Sequence, residues 1–280
     1  MARHVRLREL LVGVEGLALL RRLYDGTDED ADRRLAEVRA LLDDDAYSSG
    51  ELTSEADVQT GYTLWSSSYD QPGNPIIALE EPAVRSLVDL LPAGRALDAA
   101  CGTGRHARHL AESGHDVIGI DLTSEMLKRA RGAVAGAAFV QADLVDIPAN
   151  DARFELIVCG LALAHVADLQ RAVGELARVL RSGGHLVMSV LHPFQAFLGW
   201  HAPFEDEHGG RRFVREHTHF HADYLAAFRS AGLHVRHCIE PELGAAEVAS
   251  KLRAFRHVPD AALAAYVGLP AVLVWDTEKA

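Results

Sequence analysis

Ala96-Leu97-Asp98-Ala99-Ala100-Cys101-Gly102-Thr103-Gly104 is the stretch on which the reading of this chain turns. An apolar strand runs into a glycine loop, and His106 to Leu110 begins a helix. Gly102 and Gly104 lack Cβ atoms, so the backbone there can turn sharply and lie close against a ligand. The spacing Gly102-x-Gly104-x-x-Ala107 also fits a dinucleotide fingerprint, in which a helix N-terminus holds a pyrophosphate. Charge separates the two readings. A carboxylate at Asp98 repels a doubly charged pyrophosphate but suits a cationic ligand such as S-adenosylmethionine, which carries a sulfonium and an ammonium and no phosphate. Asp98 as a simple turn cap is an alternative that the loop alone leaves open.

Working outward, apolar segments alternate with helical ones. Strands are predicted at Arg95–Ala99, Asp116–Ile120, Ala138–Gln141, Leu156–Cys159 and His185–Val190. Helices are predicted from about Pro75 to Leu91 and at Arg105–Ser113, Ser124–Arg131 and Leu169–Arg181. That alternation implies a parallel sheet wound on both faces. A further helix (Ala222–Ala231) and strands near Val235–Ile239 and Ala271–Trp275 follow. The second strand ends in Asp121, placed to accept hydrogen bonds from both hydroxyls of a ribose. The third ends near Asp143, placed to accept from an adenine amino group. Three successive strands thus end in an aspartate on the side where ligands bind in such sheets.

These motifs resemble the class I methyltransferases of the ubiquinone/menaquinone-biosynthesis type. The resemblance rests on residues 97–104, then on Gly119-Ile120-Asp121-Leu122-Thr123-Ser124-Glu125-Met126-Leu127 and Ala142-Asp143-Leu144. Phe154-Glu155-Leu156-Ile157-Val158-Cys159 and Leu180-Arg181-Ser182-Gly183-Gly184 extend it, and it spans about Tyr62 to Val190. It implies a Rossmann-like, doubly wound α/β fold with a mostly parallel seven-stranded sheet whose last strand is antiparallel. It also implies an S-adenosylmethionine site in which Asp98, Gly102 and Gly104 hold the methionine part, Asp121 the ribose and Asp143 the adenine. Ala100, Leu122, Met126, Ala142, Leu144 and Cys159 complete that expected site. Ala100 stands where the family often has a third glycine.

The segment Tyr62-Thr63-Leu64-Trp65-Ser66-Ser67-Ser68-Tyr69-Asp70 looks like the part that closes over the cofactor in this family. Tyr62 and Tyr69 offer hydroxyls, and Trp65 a flat face to a sulfonium. Methyl transfer is a direct displacement, and a general base is needed only when the acceptor must lose a proton. His165, past the fourth strand, and His192, past the fifth, are the two candidates for that role. The aromatic and His-rich stretch 193–221 reads as a lid insert over a hydrophobic acceptor. Within it, His217-x-His219-x-His221 would share one face of a strand; solvated or substrate-facing histidines are expected there, not a metal site.

Residues 1–60 read as a helical cap, separate from a methyltransferase domain at 61–280. Leu7, Leu10, Leu11, Val14, Leu17 and Ala18 recur at helical spacing, and Thr27 can cap a second helix. These helices are candidates for a homodimer contact. With 28 Lys and Arg against 40 Asp and Glu, the formal charge of −12 argues against nucleic acid as partner. A motif of the Asp-Pro-Pro-Tyr kind, found in base-modifying enzymes, is absent after strand four. Three scattered cysteines, no apolar run of the ~20 residues a membrane span needs, and Glu15 inside the one signal-like segment point to the cytoplasm. The expected function is methyl transfer from S-adenosylmethionine to an O, N or C atom of a small molecule. A nicotinamide-dependent oxidoreductase and a non-methylating use of the same fold are the rivals.

Overall fold

The computed structural model describes residues 2–280. The chain opens with β1 (Ala2–Arg6), α1 (Leu7–Arg21), α2 (Asp28–Asp43), β2 (Gly50–Ala56), α3 (Val58–Trp65) and α4 (Pro75–Val88). An alternating core follows: β3 (Arg95–Ala99), α5 (Arg105–Glu112), β4 (Asp116–Asp121), α6 (Ser124–Ala133), β5 (Ala138–Gln141), β6 (Phe154–Gly160), α7 (Leu169–Val179) and β7 (Leu180–Leu191). Then come α8 (Pro193–Phe197), β8 (Ala202–Glu205), β9 (Arg211–Val214), α9 (His221–Ser230), β10 (Leu233–Ile239), α10 (Ala245–Lys251), α11 (Pro259–Tyr266) and β11 (Val272–Lys279).

The central sheet has seven strands in the order β10-β11-β7-β6-β3-β4-β5. Strands β3 to β7 are parallel, and β11 is antiparallel to both its neighbours. Helices cover both faces, so the strands carry apolar side chains on each side. Successive residues go to opposite layers, as the pleat requires. Ala96, Val158 and Val187 join the layer under α4 and α5, whereas Leu97, Ile157 and Leu186 join the one under α7 and α9. Chain direction around the sheet reverses at β3, whose neighbours are β4 and β6, and in such sheets the crevice at the strands' carboxyl ends is the natural ligand site.

The first sixty residues are not purely helical. Strands β1 and β2 lie there, and β2 pairs in parallel with β9 of the insert, giving a second sheet in the order β1-β2-β9-β8. The segment Gly50–Ala56 shows no apolar alternation because only Ala56 is buried, so nothing local marks it as a strand. Its partner lies far along the chain, where Glu55 accepts a 2.7 Å hydrogen bond from Arg215 Nε. Thr27 does cap α2, accepting from the Asp30 amide at 3.1 Å. The apolar face of α1, with Leu11, Val14 and Ala18 buried, is covered from within the chain, and Arg21 donates to the carbonyls of Ala265 (2.9 Å) and Val267 (2.8 Å) at the end of α11. That face is therefore spent on the chain's own core.

One buried carboxylate ties the core to the glycine loop. Glu80, inside α4, is fully buried and pairs with Arg105, with His106 Nε2 (2.9 Å) and with the Ser189 hydroxyl (2.6 Å). Burial alone would raise the Glu80 carboxyl, but His106, Arg105 and Ser189 hold it down at about 2. A carboxylate depressed from its usual 4.5 adds stability above that pH and loses it as pH falls toward 2. The shift corresponds to about 3 kcal/mol. Glu80→Ala, which strands Arg105 beside a cavity, is expected to cost about 3–5 kcal/mol in denaturant unfolding at pH 7. The deficit should shrink on acidification below pH 4.5; a constant deficit from pH 7 to pH 3 counts against a charged Glu80.

Candidate functional site

The loop between β3 and α5 departs from ordinary backbone geometry at three of five positions: Ala100 (φ 58°), Gly102 (φ 52°) and Gly104 (φ 89°). The two glycines serve different ends. A Cβ on Gly104 would sit 3.0 Å from Val134 and 3.3 Å from Ala130, so this glycine lets α6 pack close. A Cβ on Gly102 would meet nothing within 4 Å; that space is open to a ligand. Ala100 adopts the left-handed region at a cost of ~1–2 kcal/mol, which glycine would avoid.

Asp98 caps the turn, as one of its two readings has it. It is 1% exposed, and its Oδ2 accepts from the Ala107 amide at 2.7 Å, securing the first turn of α5. Its Oδ1 is buried and has no partner among the described residues. Burial raises this carboxyl to about 6. Asp121 is pinned more firmly than its expected ribose contact requires: Oδ2 accepts from Gly102 N and Oδ1 from Thr123 N, both at 2.8 Å. Burial raises its carboxyl too. Each oxygen keeps a second lone pair for a ligand hydroxyl. Asp143 is exposed, with Oδ1 taken by the Val145 amide at 3.1 Å. The Leu122 carbonyl takes hydrogen bonds from Gln59 (3.3 Å) and Gln141 (2.9 Å), and the Ala142 amide donates to the Asp121 carbonyl at 3.0 Å. Met126, Leu144 and Cys159 are buried and contribute packing.

The aromatic segment lies along and just beyond α3. Trp65 does not present a free face as expected: it stacks on Tyr62 (5.7 Å, 27°) and on Phe204 of β8 (5.6 Å, 12°), with Tyr69 edge-on at 5.1 Å. The insert supplies the ring that occupies it. Burial pushes the Tyr69 hydroxyl up to about 12 and raises Tyr62 as well, so both remain neutral hydrogen-bonding groups. Thr103 of the glycine loop donates to Asp70 at 2.7 Å, fastening the end of this segment to the loop.

Backbone partners decide between the two candidate histidines. His165 Nδ1 lies 2.8 Å from the Arg215 carbonyl, which can only accept, so the proton sits on Nδ1. Its Nε2 is then a lone pair, facing the Tyr62 hydroxyl at 2.8 Å. Burial lowers the His165 pKa, which keeps the ring neutral and able to take a proton. His192 is arranged the other way. Its Nδ1 accepts from the Phe194 amide at 3.1 Å as the N-cap of α8, and its Nε2–H points at Glu240 at 3.0 Å. No lone pair is left over on His192. It holds structure, and His165 alone keeps the geometry of a base.

The three insert histidines do not line a strand. The His217 amide pairs with the Ala164 carbonyl (2.6 Å), His219 Nε2 binds the Val166 carbonyl (2.8 Å), and His221 begins α9. His221 joins His192 at Glu240 instead, with three potential ligand atoms within 4.8 Å of one another. The proton on His192 Nε2 disfavours a metal there. Two acidic residues have no local mark in the sequence. Glu80 carries no signal beyond a polar residue in an amphipathic helix. Glu216 lies in a polar run that marks no role for it, yet it sits 3.7 Å from His165 Nε2.

Two predictions follow from these contacts. Asp121→Asn keeps a single acceptor oxygen for two amides, so it should weaken adenosyl-ligand binding and also cost about 1–3 kcal/mol of stability. Unchanged ligand affinity in that variant overturns the ribose assignment. Long-range ¹H–¹⁵N NMR at pH 7 should find His165 in the Nδ1–H form and His192 in the Nε2–H form; the reverse pattern exchanges their roles.

Residues 97–188 match the family model described as a methyltransferase domain. A malonyl-[acyl-carrier protein] O-methyltransferase from Enterobacter lignolyticus (strain SCF1) is 37% identical over 144 residues, 49% of this chain and 57% of that protein. A demethylmenaquinone methyltransferase from Clavibacter sepedonicus is 37% identical over 97 residues, 34% of this chain and 40% of that protein. The chain thus spans about half the length of the curated relatives it matches. A crystal structure of an S-adenosylmethionine-dependent methyltransferase from Mesorhizobium loti superposes with a TM-score of 0.54 at 26% identity, over 72% of this chain and 98% of that one.

Proposed function

We propose that the class I S-adenosylmethionine-dependent methyltransferase domain carried by this chain transfers a methyl group to a small, largely apolar acceptor bound beneath the insert. The observation that carries the reading is the glycine loop: space is open at Gly102, and the buried carboxylate of Asp98, at the end of the strand that feeds the loop, has one oxygen lacking a partner. An unpaired buried oxygen costs about 1–3 kcal/mol and is a place where a ligand donor repays the cost. The ammonium of S-adenosylmethionine fits that oxygen, and a pyrophosphate does not.

Asp98 and the amides around Gly102 would hold the methionine part, Asp121 the ribose, and the free oxygen of Asp143 the adenine. When bound, the cofactor supplies an electrophilic methyl group. The chain's own residues do the rest. Tyr62, Trp65 and Tyr69 shield the site from water, and His165 Nε2 receives the proton that the acceptor gives up. An apolar acceptor is supported by exposed rings on and beside the insert, where Phe197 (69% exposed) and Phe220 (48% exposed) lie 6.1 Å apart. Among the described residues no helix is long and apolar enough to cross a membrane. Three unpaired cysteines support a reducing, cytoplasmic setting, and the net negative charge supports a small-molecule partner over nucleic acid. The acyl-carrier and quinone names belong to relatives that the chain matches only in part.

Thermal unfolding with S-adenosylmethionine, S-adenosylhomocysteine or NADH tests the reading. A ligand at 1,000 times its Kd adds ~4 kcal/mol, a rise of several degrees for a chain of this size. Both adenosyl ligands are expected to raise Tm and NADH to leave it unchanged; a response to NADH alone overturns the assignment.

A further inference from the structure

We propose that the methyl acceptor is an amine, held as its ammonium by Glu216, His165 and Tyr62. This rests on the methyltransferase reading and narrows it to one class of acceptor. Glu216 follows β9, with a side chain only 8% exposed. One of its oxygens lies 3.7 Å from His165 Nε2; the other, Oε2, is buried and has no partner among the described residues. Neighbouring basic groups do not answer it. Arg215 turns its guanidinium onto Glu55 at 2.7 Å, and His201 Nδ1 accepts the Glu216 amide at 3.3 Å. With burial unopposed, the Glu216 carboxyl is pushed up to about 8, uncharged at neutral pH.

Counting donors and acceptors identifies the missing group. The Tyr62 oxygen, His165 Nε2 and the Glu216 carboxyl can all accept; the donors among these side chains are the Tyr62 O–H, which already faces His165, and the single O–H of uncharged Glu216. An ammonium brings three N–H donors and the charge that Glu216 lacks, and the Tyr62 ring favours a cation beside it. A hydroxyl brings one hydrogen and leaves the carboxyl uncharged. A carboxylate brings acceptors only, to a cluster already short of donors. On entry of the ammonium, Glu216 loses its proton to solvent. The bound ammonium then displaces the Tyr62 O–H from His165 Nε2 and passes one N–H proton there, while Nδ1–H stays on the Arg215 carbonyl and the nitrogen lone pair is freed for attack.

Calorimetric titration of the protein loaded with S-adenosylhomocysteine, at pH 7 in two buffers of different ionisation heat, tests this. The probes are n-butylamine to n-octylamine, benzylamine and 2-phenylethylamine, each against the alcohol of the same carbon skeleton. Amines are expected to bind at least about tenfold more tightly than their alcohols and to release close to one proton. Glu216→Gln should abolish the proton release and weaken amines about tenfold, with S-adenosylhomocysteine affinity unchanged. Glu216→Leu, which removes the unpaired acid, should raise Tm while losing the amine response; a merely structural Glu216 would lower Tm in both variants. Alcohols binding as well as amines, no amine binding at all, or amine affinity surviving Glu216→Gln each overturn the proposal. A wild-type protein that fails to bind S-adenosylhomocysteine sinks the methyltransferase reading instead, before any amine is added.

Discussion

Carboxylates hold the glycine loop from three sides, and the site depends on that grip. A stretch with positive φ at Ala100, Gly102 and Gly104 cannot satisfy its amides by regular pairing. Asp121 takes the Gly102 amide from the end of β4, and Asp98 takes the Ala107 amide from beneath. Glu80 anchors Arg105 and His106 from α4. Each acid therefore has a mechanical task as well as an electrostatic one. The strained loop can persist only because several neighbours over-determine it.

The second sheet performs a comparable service for the surroundings of His165. Pairing of β2 with β9 brings the start of the chain beside the insert. That junction carries Tyr62 on α3 and Arg215 and Glu216 just past β9, and His165 lies between them. Trp65 stacked on Phe204 closes the same seam. The proton-accepting face of His165 is thus a product of two segments remote in sequence. Arg215 sets the tautomer through its carbonyl, and Tyr62 takes up the lone pair that remains. His192 has the same side chain near the same edge of the sheet, but a helix cap consumes it.

Local pattern carried the main fold. Strands β3 to β7 were legible because parallel strands buried on both faces read as short apolar runs, and their helices because one face repeats at helical period. The glycine loop and the three strand-end aspartates were legible for a similar reason: each follows its strand directly. Strands β1, β2, β8 and β9 were not. They are short and half-exposed, with stability that comes from one another, so no window of sequence contains the reason they form. Helices α10 and α11 escaped notice as well, although their burial against α1 and α4 explains where the apolar face of the first helix goes.

By itself the amino-acid sequence determined the doubly wound sheet and the glycine loop with its strand-end aspartates, since these rest on residues adjacent along the chain. Only the tertiary structure decided which histidine keeps a ring lone pair clear of the backbone, that Trp65 is already covered, and that a buried acid without a counter-charge, Glu216, stands beside His165. Those properties belong to pairs of groups far apart in sequence. A hydrogen-bond partner, unlike a periodicity, exists only once the chain has brought both of its members together.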